Sequence, residues 1–419
     1  MEPRCARQET VLSYQEFLDN YLLPNIPVIL GPALVQDWSA IRKWRRDGTI
    51  DWDHLSAVYG DSEVTVANCS TRDFSDQQRE LMLFRDVVSL WQSGAGEDLY
   101  VKDWHLARQL AAPSGPALAP ELSSRAQGSS EPFYTTPAIF RDDWMNAYYA
   151  AHTADDFRFV YAGPAGTFTP LHRDVYASYS WSTNVAGRKR WWLFPPVQTP
   201  LLFRKGREAH AEVAFDVRDV DPEEFPGFKH ARPVIVEQGP GETIFVPSGW
   251  HHQVENLTNC LSINHNWCNS VNLPTLYRAM CAKVDEVEQA LEDVRELLLR
   301  TSADAEAGAD SIGAIAGWRR EWTTIVQDVV EKDAGWHWTT FWKMVRHALS
   351  LEVGRPCPVR EDLWPVTPDV LTPPIEFIRM RIQACADDFL KREQREVDHV
   401  AGLSEVLSDI QDMLRAPQE

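Results

Sequence analysis

Two short stretches carry the residue types that hold a redox metal. His172 and Asp174 form an H-x-D pair within TFTPLHRDVYASYS, and a second histidine pair, His251 and His252, follows the turn VPSGW. Two residues apart on a strand, the side chains of His172 and Asp174 project from one face. One more imidazole on that face gives two histidines and a carboxylate, with the opposite side of the metal left open. That donor set suits Fe(II) that activates oxygen. Adjacent strand residues point oppositely, so only one of His251 and His252 can face the metal, and alternation without a register leaves the choice open. The plain alternative is a buried ion pair with an unrelated histidine.

A metal of this kind commonly works with 2-oxoglutarate, whose keto-acid end chelates the ion while its far carboxylate needs a cation deeper in the fold. Lys189 suits that role, because an ammonium on a long stem meets a carboxylate as a point charge. Thr169, three residues before His172, can donate a hydroxyl hydrogen bond to the same group.

The elements that must position these residues read as short strands between Gly/Pro turns. Between 157 and 270 the segments FRFVYAG, TFTPLH, SYSWSTNVAG, KRWWLFPP, ARPVIVEQ, ETIFVPSG, HHQVENL and CLSINHNW follow one another with no long helix between them. Such a run predicts a sandwich or barrel. Gly241 in the PGE turn and Gly249 in the bend before the histidines supply the backbone freedom that tight turns need.

Three blocks in order, H-x-D, the G-x-K-R-W-x-L-F-P-P run from Gly187 to Pro196, and P-G-E-T-x-F-V-P-x-G-W-x-H from Pro240 to His252, resemble the jumonji-C family of Fe(II)- and 2-oxoglutarate-dependent oxygenases. LYVKDW (99–104) and INHNW (263–267) extend the resemblance over roughly residues 10–275. The resemblance implies a mainly β fold with α elements: a double-stranded β-helix (jelly-roll or cupin) core, an N-terminal α/β cover and a C-terminal helical region. It implies His172, Asp174 and His252 as metal ligands, His252 because it falls five residues after the Pro of VPSGW. It assigns Lys189, Thr169 and Tyr100 to the co-substrate carboxylate and Asn266 to the keto-acid, with O2 as the second co-substrate. Within the family the likeness is to the hydroxylase branch. That implies a protein substrate, a lysine side chain of a translation termination (release) factor.

The expected division is 1–132 for the cover, 133–275 for the catalytic domain and 276–419 for the helices. Within the cover, SYQEFLDNYL reads as a helix capped by Ser13, IPVIL as a buried strand, GPALVQDW as the start of a helix ending near Trp44, WDHLSAVYG as a helix and EVTVANC as a strand. FRDVVSLWQS reads as helical, LYVKDW as a strand and FRDDWMNAYY as a helix. The Ala/Pro/Ser/Gly-rich stretch 111–131 reads as a flexible surface insertion. After 271 the pattern turns helical: 273–300, a loop at 301–313, then amphipathic segments at 315–333 and 336–353, a proline-marked connector, and two closing helices. Analogy with related oxygenases implies homodimer contacts through these helices.

A formal charge of −20, from 41 basic and 61 acidic residues, argues against direct nucleic-acid binding and for basic protein partners. Seven scattered cysteines without a C-x-x-C pair read as reduced thiols. With no membrane-length apolar run and no signal-type start, the expectation is a cytoplasmic protein, preferred over a nuclear one. Of the 12 histidines most read as surface or packing residues, with His265 a candidate to line the pocket. Two other functions fit the same sequence. One is methyl-lysine demethylation at the same site, and the other is a non-enzymatic cupin-fold scaffold.

Overall fold

The computed structural model describes residues 4–73, 76–111, 131–206, 212–306, 311–392 and 394–416. Its strands are β1 (Ala6–Gln8), β2 (Val28–Leu30), β3 (Arg45–Arg46), β4 (Thr49–Ile50), β5 (Glu63–Asp73), β6 (Asp76–Leu83), β7 (Leu99–Trp104), β8 (Arg158–Gly163), β9 (Phe168–Arg173), β10 (Tyr179–Ala186), β11 (Lys189–Phe194), β12 (Val234–Gln238), β13 (Thr243–Val246), β14 (His251–Asn256) and β15 (Cys260–Trp267). Two sheets dominate. One has the order β1-β2-β13-β10-β15-β8-β7-β5-β6 and the other β12-β11-β14-β9. Strands β8 to β15 cross between the two sheets as a double-stranded β-helix requires, so the fold is the expected cupin core.

Alternation decides what each strand face does. On β10, Trp181 is fully buried against Phe140, their rings stacked at 5.5 Å, while Trp267 of β15 packs edge-on to the same Phe140 at 5.8 Å. Phe17 joins this layer through Phe140 and Phe245. The opposite face of β10 and β15 carries Ser180, Ser182, Asn264 and Asn266 instead. Ile29, Ile244 and Val246 from the large sheet pack with Trp191, Leu193 and Val254 from the small one. Burying each such side chain stabilises the sandwich by roughly 1.5–3 kcal/mol.

In the cover, the Ser13 hydroxyl accepts from the Glu16 amide, and the Glu16 carboxylate accepts from Ser13, a reciprocal cap that starts the helix Tyr14–Phe17. This helix continues as a wider π turn, Leu18–Leu22. The helix expected to run from GPALVQDW to Trp44 is instead broken into a 3-10 turn, Pro32–Leu34, and a short helix, Ser39–Lys43. Between them Trp38 is extended, and its indole packs against Tyr134 and Trp181. Strand β6 was not foreseen: it is an edge strand with four consecutive exposed residues, so it lacks the apolar alternation that marks a half-buried strand. The insertion expected at 111–131 falls, apart from its two ends, outside the described residues.

The chain packs as two compact units, Met1–Asp174 with Ser178–Trp267, and Val175–Ala177 with Cys268–Glu419. In the second unit the segment expected to be one helix over 273–300 breaks at Leu291 into Leu273–Ala290 and Glu292–Glu306, and the expected loop at 301–313 begins as helix. Tyr277, Trp338, Trp342 and Phe389 form an aromatic core there. The tripeptide Val175–Ala177 belongs to this unit because Tyr176 stacks on Trp336 at 4.4 Å and exchanges hydrogen bonds with its backbone. No described helix is long and apolar enough to cross a membrane.

Candidate active site

Antiparallel pairing of β14 with β9 sets His252 directly opposite His172, and His251 opposite Arg173. That register decides between the two histidines. The imidazole of His252 lies 4.2 Å from that of His172, centroid to centroid, whereas His251 turns to the other face and meets the Thr199 hydroxyl at 3.3 Å. Asp174 closes the set, with Oδ1 4.0 Å from His172 Nε2 and Oδ2 4.0 Å from His252 Nε2. One donor atom from each residue lies within 4.8 Å of the others.

The backbone orients the rings. His172 Nδ1 is 2.8 Å from the Pro170 carbonyl and His252 Nδ1 is 3.2 Å from that of Trp250. A carbonyl only accepts, so each Nδ1 carries its proton and each Nε2 presents a lone pair inward. Burial, then the neighbouring His252, pulls His172 down to about 4, which keeps that ring neutral and able to ligate at neutral pH. Ser180 donates to Asp174 Oδ2 at 2.8 Å and holds the carboxylate in place. Two imidazoles and a carboxylate fit a divalent first-row metal with open positions.

Lys189, at the start of β11, is 2% exposed and donates to Ser262 Oγ at 2.7 Å. Desolvation lowers its ammonium to about 8. Among the described residues that one hydrogen bond is all it makes, so two of its three donors fit a carboxylate. The Tyr161 ring sits 6.0 Å from Lys189 Nζ and 6.0 Å from the Tyr100 ring. The Tyr100 hydroxyl faces Asn256 and Thr169, and burial pushes its pKa well up, so it stays a donor. Asn266 donates to Ser178 Oγ at 3.2 Å, close in sequence to Asp174. The structure thus brings His172, Asp174 and His252 together, sets Tyr100 beside Thr169, and places Asn266 on the Ser178 hydroxyl.

His265 does not: it lies on the other face of β15, packed on Trp181 at 4.1 Å and bonded to the Tyr134 hydroxyl at 2.8 Å. The expectation that it lines the pocket is corrected by the strand register. Sequence reasoning missed Ser180, Ser262 and Tyr161. The signal was present as polar residues at every second position of SYSWSTN and CLSINHN, an alternation whose polar side faces inward. A second grouping of possible ligands, His105 with Asp155 and Asp156, is an ion-pair network in which Arg108 and Arg158 occupy the carboxylates.

Residues 14–272 match the cupin-like domain family, and the chain belongs to that family, in its jumonji-C branch. Among its relatives are the 2-oxoglutarate and iron-dependent oxygenase JMJD4 of Homo sapiens, 40% identical over 66% of this chain and 65% of the relative, and that of Mus musculus, 38% identical over 68% and 65%. The Arabidopsis thaliana arginine-specific demethylase JMJ20 is 37% identical over 68% of this chain and 62% of the relative. The match therefore spans about 65% of the length of the human and mouse relatives.

Proposed function

We propose that this chain is an Fe(II)- and 2-oxoglutarate-dependent dioxygenase that hydroxylates a lysine side chain in a protein, with a translation release factor as the substrate. The observation that carries the reading is the His172–Asp174–His252 cluster in the same β-walled interior as a buried, under-bonded Lys189. The names of the human and mouse relatives support the oxygenase part. The release factor rests on the likeness of the sequence to the hydroxylase branch.

In this reading His172, Asp174 and His252 would hold the iron. Lys189, Thr169 and Tyr100 would hold the far carboxylate of 2-oxoglutarate, and Asn266 would stand near its keto-acid end. Iron and 2-oxoglutarate supply the oxidising power when bound, inserting one oxygen atom of O2 into a C–H bond while 2-oxoglutarate becomes succinate and CO2. The protein supplies orientation: Pro170 and Trp250 carbonyls fix the ring tautomers, Ser180 fixes the carboxylate, and the buried walls exclude water.

A second reading is N-methyl oxidation followed by loss of formaldehyde. It is favoured by the demethylase name of the Arabidopsis relative and uses the same residues. Incubation with Fe(II), 2-oxoglutarate, air and either release factor or methylated peptides separates them by mass. Gain of one oxygen on a lysine supports hydroxylation and loss of a methyl supports demethylation. Neither change, with no succinate formed, would leave a non-enzymatic scaffold.

A further inference from the structure

Asp174 lies one residue past the end of β9, outside the register with β14 that fixes His172. The next three residues, Val175–Ala177, form a turn, and β10 begins at Tyr179. Tyr176 and Ala177 both take positive φ, 51 and 55. An aromatic residue rarely occupies that left-handed region, and two such residues in succession persist only where their surroundings over-determine them. Beyond the turn, Ser178 is buried and accepts from Asn266, and Ser180 donates to the Asp174 carboxylate.

Trp336 is what the turn grips. The buried Tyr176 ring stacks on its indole at 4.4 Å, with the planes 10° apart. The Tyr176 hydroxyl accepts from the Trp336 amide at 2.8 Å and donates to the Trp336 carbonyl at 3.1 Å. Trp336 sits between the helices Ser311–Ala334 and Trp338–Glu352, with Gly335 at φ 83 closing the first. Its main-chain groups therefore fall outside both helical ladders, and one phenol serves them both. Tyr176 and Trp336 belong to the same compact unit, whereas Asp174 and Ser178, on either side of the turn, belong to the other.

The three candidate ligands are thus held in different ways. Strand pairing fixes the backbones of His172 and His252 opposite each other. Asp174 has no such partner strand, and the Ser180 bond orients its carboxylate without fixing its main chain. We propose, resting on the metal centre put forward above, that Tyr176 is a positioning residue: its grip on Trp336 holds the left-handed turn that delivers the Asp174 carboxylate to the two imidazoles. Trp336 then acts on metal affinity without touching the metal, through a residue two places from the ligand.

The test compares the full chain with Tyr176→Phe, Tyr176→Gly and Tyr277→Phe. Each is titrated with Mn(II) by calorimetry, loaded with Co(II) for its visible absorption, and melted. Tyr176→Phe keeps the ring stack and loses both hydrogen bonds, and its Mn(II) affinity should fall about tenfold, within the range for groups that orient a ligand. Tyr176→Gly loses the stack as well and frees the turn to other conformations, so its affinity should fall further, toward a hundredfold. Tyr277→Phe is the control for plain destabilisation. It removes one hydroxyl bond, to Asp388 at 2.7 Å, from the same compact unit. It should lower the melting temperature and leave Mn(II) affinity within about twofold, below the span of ligand-orienting groups. The Co(II) band should change shape in the Tyr176 variants and keep it in Tyr277→Phe. Mn(II) affinity of Tyr176→Phe within twofold of the wild type overturns the proposal, and so does an equal loss in Tyr277→Phe. Wild type that binds no Mn(II) overturns the metal centre and this proposal together, whereas a wild type that binds it beside an unmoved Tyr176→Phe overturns this proposal alone.

Discussion

The ammonium of Lys189 and the hydroxyl of Ser262 meet at 2.7 Å although 73 residues separate them in the chain. Lys189 opens β11 in the small sheet and Ser262 lies in β15 of the large one, so this bond crosses the barrel. It holds a cation where water cannot solvate it.

Lys189→Met should therefore weaken 2-oxoglutarate binding by roughly tenfold to a hundredfold, the worth of a charged hydrogen bond. The fold should survive, since a buried charge is replaced by an apolar chain of similar length. Titration of the Mn(II)-loaded variant with 2-oxoglutarate checks the first point and a melting curve the second. Unaltered affinity would remove Lys189 from the site.

Lys189 also sets a pH dependence. Its pKa lies at about 8 in the folded chain and about 10.4 in an unfolded one. Above pH 8 the ammonium is lost, so the KM for 2-oxoglutarate should climb, up to about tenfold per pH unit. In the ligand-free protein the unfolded chain binds the extra proton between the two values. This group's contribution to stability therefore rises with pH across that window. The Met variant should lack both effects, and parallel pH titrations of the two proteins would show it.

The two adjacent histidines should separate cleanly. His252→Ala should abolish Mn(II) binding with the fold retained, because it removes one of three ligands. His251→Ala should leave metal affinity within a fewfold, because its ring faces Thr199. Equal losses in both variants would contradict the register of β14 on β9.

Ser180→Ala removes the hydrogen bond to Asp174 Oδ2 and leaves the ligand itself in place. Partners that orient ligands are commonly worth 10–100-fold in metal affinity, so a loss of about tenfold is expected. Competition for Mn(II) against a chelator of known affinity would measure it.

Gly187 explains the first letter of the G-x-K run. It sits at φ 88, and a Cβ there would lie 2.2 Å from the Asn259 carbonyl oxygen. Gly187→Ala should destabilise the chain by about 3 kcal/mol or more, from backbone strain and overlap with a carbonyl that cannot yield. Denaturant unfolding would register it, together with weaker 2-oxoglutarate binding as Lys189 shifts.

Much of the fold was legible in order along the chain. The strands β8 to β15 announce themselves by β-branched and aromatic runs between Gly/Pro turns, because local propensity and burial agree there. Where exposure weakens that agreement, as in the edge strand β6, the pattern is silent. Where tertiary packing overrides it, as at Trp38 drawn onto Tyr134 and Trp181, the predicted helix breaks.

Residue type and spacing alone determined that His172 and Asp174 share a face and that a lysine suited to a carboxylate follows them, since both follow from side-chain chemistry and the two-residue strand period. Strand alternation left His251 and His252 open, the family resemblance favoured His252, and the folded chain's register turns His252 inward; only the folded chain decided that His265 points away and that Ser262, Ser180 and Tyr161 complete the interior. Those outcomes depend on which residues two distant strands set opposite each other, and pairing register is a property of the whole barrel.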